Sequence, residues 1–434
     1  MTAKDLNADW IDIDALYIGL YVELDLGWMA HPFPTGSFKI STDKQIATLR
    51  SLGLTRIRWV PSKSDAAPVS EGQLEADARA TLLVKSQKDQ AALLVEQRRQ
   101  RTEALAAQQL SLGQCERKFV EAAGNYRKAL ELIHTKPQAA AEQAHSAVAG
   151  FVAEMLSDGE SAIRLLSEAA GDKSALHPIN VTIVSMLLGK AMWLSGAELQ
   201  DLGVAAFLHD VGKVKLPERV RWQEDNFSTA ELKLYQDHVA QSVQIGRAMD
   251  LSKASLLAIA QHHELADGSG FPSRVKVESM SAGARILALV NRYDNLCNPI
   301  RPVSALTPHE SLALIFAQLK TRFDKAALSA FIRMMGVYPP GSVVQLIDDR
   351  YGIVVSVNST RPLKPRILVH DAGVPRHEAL ILDLEQTPQL GIRRSVKPIN
   401  LPQSSLDYLA PRQRIAYFFE QVAGVAPQEP AAGA

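Results

Sequence analysis

The feature that most constrains this chain is where its histidines fall between His177 and Glu264. His177 opens a helical run. His209-Asp210-Val211-Gly212-Lys213 closes the apolar pattern AELQDLGVAAFLHD. His238 sits in a helix that starts near Ser228. His262-His263-Glu264 ends LLAIAQHHE and leads into DGSGFP, Asp267 to Pro272. Any one of these histidines reads blandly as a satisfied core or surface residue. Together they do not. The His209-Asp210 pair follows an apolar run and must be at least partly buried, and buried imidazole and carboxylate groups need partners. A metal ion satisfies both at once. Imidazole suits zinc, iron and nickel, whereas carboxylate suits manganese and magnesium, so the mixed set implies a transition metal. Adjacent His262 and His263 lie about 100° apart on a helix. Both face one site only near a helix end, and the glycine-rich DGSG supplies that end.

Length and composition bound the rest. A chain of 434 residues suggests about three domains. With 47% hydrophobic and 22% charged residues it is an ordinary globular sequence, which excludes wholesale disorder. Forty-seven basic against 47 acidic residues leave no basic footprint for DNA over the whole chain. No apolar run reaches the ~18 residues of a membrane helix, and MTAKDLNADW lacks a signal pattern. Cys115 and Cys297 make no disulfide framework. The expected location is the cytoplasm, without a membrane partner.

Patterning then divides the chain. Residues 1–65 read as a small α+β domain. It has one or two strands in 10–30, a capping box at Thr42–Gln45 opening a helix, and a strand from Thr55 to Val60. Residues 66–137 form a linker and a long helical segment; 74–132 has no proline, and Gly113 marks an expected break. The helix is a candidate for homodimer formation, against the alternative of a packed helix with a solvated charged face. Residues 138–335 are mostly helical. Residues 336–400 alternate apolar and polar residues around a turn at Asp348-Asp349, a β-hairpin-rich extension. Residues 401–434 are expected to hold a C-terminal helix and a disordered tail. The fold class is mainly α, with a β-rich extension behind it.

On His209-Asp210-Val211-Gly212-Lys213, His238, His262-His263-Glu264 with DGSGFP, Ala284-Arg285-Ile286 and Arg301-Pro302, the chain resembles the HD-GYP family. These are cyclic-di-GMP phosphodiesterases of the HD metal-dependent phosphohydrolase superfamily. The resemblance covers about 172–335. Residues 12–65, with HPFPTGSFKI, resemble the uncharacterised domain that often precedes it. The family implies an all-helical HD-type domain that hydrolyses cyclic-di-GMP to pGpG or GMP by attack of a metal-bound hydroxide. It implies Asp210 as a bridging ligand, His177 and His209 on one metal, and His238, His262 and His263 on a second. Lys213 would steady phosphate charge, Gly270, Phe271 and Pro272 would form the substrate loop, and Arg301 would contact phosphate. The cofactor is one or two divalent transition metal ions; iron or manganese is favoured, and zinc, cobalt or nickel fits the ligands. A diguanylate cyclase or other signalling protein is an expected partner.

Three positions depart from the family. Asn291 stands where the helix after the loop usually supplies an aspartate, and Asp294, one turn on, is the alternative ligand. Lys173 stands four residues before His177, where three-metal enzymes carry a glutamate; Asp172 is beside it. Phe271 replaces the loop tyrosine. With Asp210 the one certain carboxylate, two divalent ions are poorly neutralised, and one firm and one weak metal are expected. The departures sustain a second reading, a degenerate HD-GYP protein serving as a nucleotide-binding or protein-interaction module. A related phosphohydrolase acting on another nucleotide is the third.

Overall fold

A computed structural model describes residues 9–27, 29–68, 71–157, 160–167, 175–222, 227–358 and 361–422. The chain divides into two compact units, Met1–Arg98 and Arg99–Ala434. The expected disordered tail, QEPAAGA, lies outside the described residues.

The first unit holds β1 (Asp9–Asp12), β2 (Tyr21–Glu23), β3 (Ser37–Lys39), α1 (Asp43–Ser51) and β4 (Arg56–Trp59). The strands form an antiparallel sheet in the order β1-β4-β2-β3. Thr42 caps α1, its side chain accepting from Gln45 N–H while Gln45 reaches back, so the capping box read from sequence is present. Leu20, Val22, Ile40, Leu49 and Ile57 make the core between sheet and helix.

α2 runs from Glu71 to Leu132 without a break at Gly113. A single helical glycine costs only about 1 kcal/mol. Immediately after it, Cys115, Phe119, Ala122, Ala123, Tyr126 and Ala129 are buried in the core of the second unit, which holds the helix in place. This end of the 74–132 segment is thereby engaged within its own chain.

The second unit continues with α3 (Pro137–Leu156), β5 (Glu160–Leu165), α4 (Leu176–Ala191), α5 (Gly196–Leu208), α6 (Thr229–Gln236), α7 (His238–Ala248), α8 (Lys253–Gln261), α9 (Ala282–Cys297), α10 (Pro308–Gln318) and α11 (Lys325–Met335). α4 is buried on nearly every side, packed between α5 and α9. This explains a run, INVTIVSMLLG, that is apolar all round rather than on one stripe. The chain then adds β6 (Val343–Leu346), β7 (Tyr351–Asn358), β8 (Arg366–Val369), β9 (Ile381–Asp383), β10 (Ile392–Ser395), α12 (Gln403–Leu409) and β11 (Tyr417–Val422). Asp349 takes a positive φ of 68° at the hairpin turn between β6 and β7, as the Asp348-Asp349 reading expects.

The sheet runs β10-β6-β7-β5-β11, with β8 beside β7 and β9 beside β8. Two of its strands depart from expectation. β5 interrupts a stretch read as helical. β11 lies where a C-terminal helix was expected, and only the short α12 is helical there. The pairing of β5 with β11, Ile163 opposite Phe419, brings together segments more than 250 residues apart in the chain. Arg164 and Glu420 form a buried ion pair across it. Ser111 on α2 (2.8 Å) and Ser356 on β7 (3.0 Å) also donate to Glu420. This carboxylate therefore ties a helix and three strands together. Glu420→Ala leaves the Arg164 charge buried without its partner and is expected to cost about 3–5 kcal/mol in chemical denaturation. A loss below about 1 kcal/mol would show that the pair is not structural.

Candidate metal centre

Each histidine of the cluster stands at a helix end. His177 is in the first turn of α4, His209 and Asp210 follow α5, His238 begins α7, and His262 and His263 follow α8. Helix ends leave carbonyls without intrahelical donors, and three of the imidazoles use them. His209 Nδ1 donates to Ala206 O (2.7 Å), His238 Nδ1 to Tyr235 O (2.6 Å) and His262 Nδ1 to Ile259 O (2.6 Å). These bonds place the proton on Nδ1 and leave the Nε2 lone pair facing inward, the tautomer a metal ligand needs.

The inward atoms converge on Asp210, one oxygen to each half. Oδ2 lies 3.5 Å from His177 Nε2 and 3.3 Å from His209 Nε2. Oδ1 lies 3.4 Å from His238 Nε2 and 3.7 Å from His262 Nε2. Among the described residues, two groups bring their donor atoms within 4.8 Å of one another: Asp210 with His238, His262 and His263, and Asp210 with His177 and His209. Asp210 Oδ1 and His263 Nε2 are buried with no hydrogen bond reaching them. Two unpartnered lone pairs at one point are unfavourable for a protein alone and match what a divalent ion takes. The residues present fit a metal.

Asn291 is buried on α9, and its Oδ1 accepts from Asn295 (2.7 Å). Asp294 has a different task from the ligand role weighed for it. Its Oδ2 accepts from His177 Nδ1 (2.6 Å), and its Oδ1 accepts from Asn180 (2.8 Å) and Asn298 (2.9 Å). It therefore orients His177 from behind, as carboxylates do for metal-bound imidazoles. Lys173 and Asp172 lie outside the described residues.

Gly212 and Gly270 hold the surroundings close. A Cβ on Gly212 would stand 2.2 Å from His238 O, so only glycine lets the turn Val211–Lys215 press against α7. That turn delivers Lys213, whose Nζ donates to Asp210 Oδ2 at 2.6 Å. A Cβ on Gly270 would stand 2.5 Å from His263 O. The contact brings Phe271 onto the His263 ring, stacked at 4.5 Å, with Phe271 N–H donating to His263 O. Glu264 was part of the motif but had no assigned role. It is buried, and its carboxylate accepts from the backbone N–H groups of Ser273, Arg274 and Val275. It fixes the loop carrying Pro272. Arg301 is exposed on the turn after α9.

Burial and charge set the protonation states. Burial works against a charged His177, but its hydrogen bonds to the carboxylates of Asp210 and Asp294 outweigh it and raise its pKa to about 9. Burial lowers His209 to about 4, His238 to about 3, and His263 well below its ordinary range. Burial also works against a charged Asp210, yet Lys213 and His209 hold its carboxyl well below the usual range. The sign of each linkage follows. His177 stabilises the metal-free fold below about pH 6.5, and that contribution is lost as pH rises through about 9. The three depressed histidines stabilise it above about pH 6.5, and theirs is lost as pH falls toward 4. Denaturation of the chelator-stripped protein is therefore expected to show greatest stability near pH 6.5, falling on both sides. A flat profile from pH 5 to 9 would refute these assignments.

Residues 132–327 match the HD domain family, and residues 10–144 match a domain of unknown function, DUF3391. A cyclic di-GMP phosphodiesterase of Pseudomonas aeruginosa is 23% identical over 367 residues, 83% of this chain and 84% of that one. The cyclic di-GMP phosphodiesterase PdeB of Borreliella burgdorferi is 23% identical over 192 residues, 44% of this chain and 51% of its own. The 3'3'-cGAMP-specific phosphodiesterase 3 of Vibrio cholerae is 27% identical over 173 residues, 40% of this chain and 37% of its own. Among solved structures, an HDG"Y"P protein from Bdellovibrio bacteriovorus aligns over 75% of this chain and 98% of its own, with 14% identity and a TM-score of 0.43. Among the described residues, no helix is long and apolar enough to cross a membrane. What the chain shares with known families is thus a match to the HD domain over residues 132–327, preceded by a match to DUF3391 over residues 10–144.

Proposed function

We propose that this chain is a metal-dependent phosphodiesterase that hydrolyses cyclic dinucleotides, with cyclic di-GMP as substrate and pGpG or GMP as product. The observation that carries the reading is the division of Asp210, one oxygen facing His177 and His209 and the other facing His238 and His262, with Oδ1 and His263 Nε2 unpartnered. The named relatives support the choice of substrate class.

Divalent ions held by these two groups supply Lewis acidity toward a phosphodiester and make a bound water acidic. The chain's own residues do the rest. Asp294 orients His177, and the helix-end carbonyls orient His209, His238 and His262. Lys213 keeps a buried positive charge beside Asp210, where a phosphoryl oxygen gains negative charge in the transition state. Gly270, Phe271 and Pro272 wall the site next to His263. Arg301 is the outer candidate for a phosphate contact. Iron or manganese is the favoured ion.

A second reading, a nucleotide-binding module without turnover, draws on Asn291. Its amide brings no charge, and its Oδ1 is already engaged by Asn295. Hydrolysis of cyclic di-GMP by protein purified without oxygen and supplied with Mn²⁺ or Fe²⁺ separates the two. Turnover that disappears in His209→Ala and Asp210→Ala is the expected result. A folded wild-type protein without turnover on any cyclic dinucleotide would reject the enzyme. Titration of the metal gives a finer check. Asp294→Asn is expected to weaken metal binding by about 10–100-fold, and Asn291→Asp to strengthen it.

The same reading includes a homodimer through the outer part of α2. Leu82, Leu83 and Val84 recur as Leu93, Leu94 and Val95, and all six are exposed. An eleven-residue offset returns to within about 20° on a helix, so Leu83 and Leu94 stack along one side. Light scattering is expected to give twice the chain mass, and Leu83→Glu with Leu94→Glu to give the monomer. A monomeric wild type at micromolar concentration would remove the dimer.

A further inference from the structure

The Lys213 ammonium lies between two aromatic rings, 5.1 Å from the centroid of Trp222 and 5.5 Å from that of Tyr235. The two rings are not equivalent. Tyr235 is 3% exposed and packs on His238 and Phe271, so it belongs to the wall of the site. Trp222 is 41% exposed. Lys213 already has its carboxylate at Asp210, 2.6 Å away, and is not short of a partner. The backbone leading to it is fixed: Val220, two residues before it, is fully buried, and the Arg221 guanidinium donates to Leu216 O at 3.3 Å. The result is a large flat ring beside the site and partly open to solvent. It is no farther from Asp210 Oδ2 than the 2.6 and 5.1 Å steps combined allow.

We propose that Trp222 is the platform on which a purine base of the substrate stacks. The inference rests on the phosphodiesterase reading of the site. A scissile phosphate held at Asp210 puts its own nucleoside's base one sugar away, and the indole lies near enough to Asp210 to meet that base. Aromatic stacking on a base is substantial and tolerant of base identity, because every base offers a π-face. Trp222 therefore favours the larger purine surface without distinguishing guanine from adenine. Discrimination between cyclic di-GMP and a mixed guanine–adenine dinucleotide must come from other residues.

Steady-state kinetics on the metal-loaded, full-length protein tests this, with cyclic di-GMP and 3'3'-cGAMP as substrates. Trp222→Ala is expected to raise KM about 5–150-fold for both substrates, with a much smaller change in kcat. Trp222→Phe is expected to recover most of the loss, since it keeps a stacking face. GMP is expected to quench tryptophan fluorescence in the wild type and to lose most of that quenching in Trp222→Phe, which folds with a conservative ring but lacks the indole. If the wild type turns over substrate and Trp222→Ala leaves KM unchanged, or lowers kcat alone, the stacking role is wrong and the phosphodiesterase reading stands. If the wild type neither binds nor cleaves a cyclic dinucleotide, both fall.

Discussion

The carboxylate of Asp210 is the interaction on which the rest of the HD domain depends. It is an anion buried among four imidazoles, one of them held protonated in the metal-free protein, and one ammonium. Burying such a charge is costly unless it is paired and hydrogen-bonded. Lys213 provides the pair, and that explains why the lysine follows three residues later on a tight turn rather than on a distant element. The turn in turn requires Gly212, because only a residue without a side chain lets it meet α7. One buried charge thus dictates the spacing of the His-Asp-Val-Gly-Lys motif.

Placing the imidazoles at helix ends solves a second problem. A histidine within a helix cannot easily bond a main-chain carbonyl, since those carbonyls are used by the next turn. At an end they are available, and His209, His238 and His262 each take the carbonyl three residues back. The same carbonyls that would otherwise need water are satisfied, the tautomer is set, and the ring cannot rotate without losing a bond. His177 is at a helix N-terminus, where no such carbonyl exists, and uses Asp294 instead. Of these four imidazoles it is the one oriented by a hydrogen bond to a side chain from another element.

That difference marks where the sequence was readable. Motif residues at helix ends announce themselves through local pattern: an apolar run, then His-Asp; an apolar run, then His-His-Glu and glycines. The structure brings all of them together. The role of Asp294 depends on how α9 lies against α4, which no local pattern encodes, so it read as a spare ligand. Glu264 pins a loop through backbone N–H groups, and nothing in its own neighbourhood marks that. No local pattern marks Trp222 either. Among the larger elements, the hairpin at Asp348-Asp349 was legible from alternation and turn residues. β11 was not, since YFFEQV is apolar on adjacent positions and its strand character comes from pairing with β5. Gly113 read as a break because propensity was weighed without the tertiary packing that overrides it.

The two halves of the centre are unequal, and the inequality follows from the same carboxylate. In one half, Asp210 Oδ1 has no donor and three imidazoles surround it, counting His263. In the other half, Oδ2 already accepts from Lys213 at 2.6 Å, and a protonated His177 carries a second proton on Nε2, the atom that faces Asp210. An ion in the first half would displace nothing. An ion in the second would compete with an ammonium and the Nε2 proton, and Asn291 adds no negative charge to offset them. On electrostatic grounds the His238, His262 and His263 half would hold an ion more readily than the His177 and His209 half.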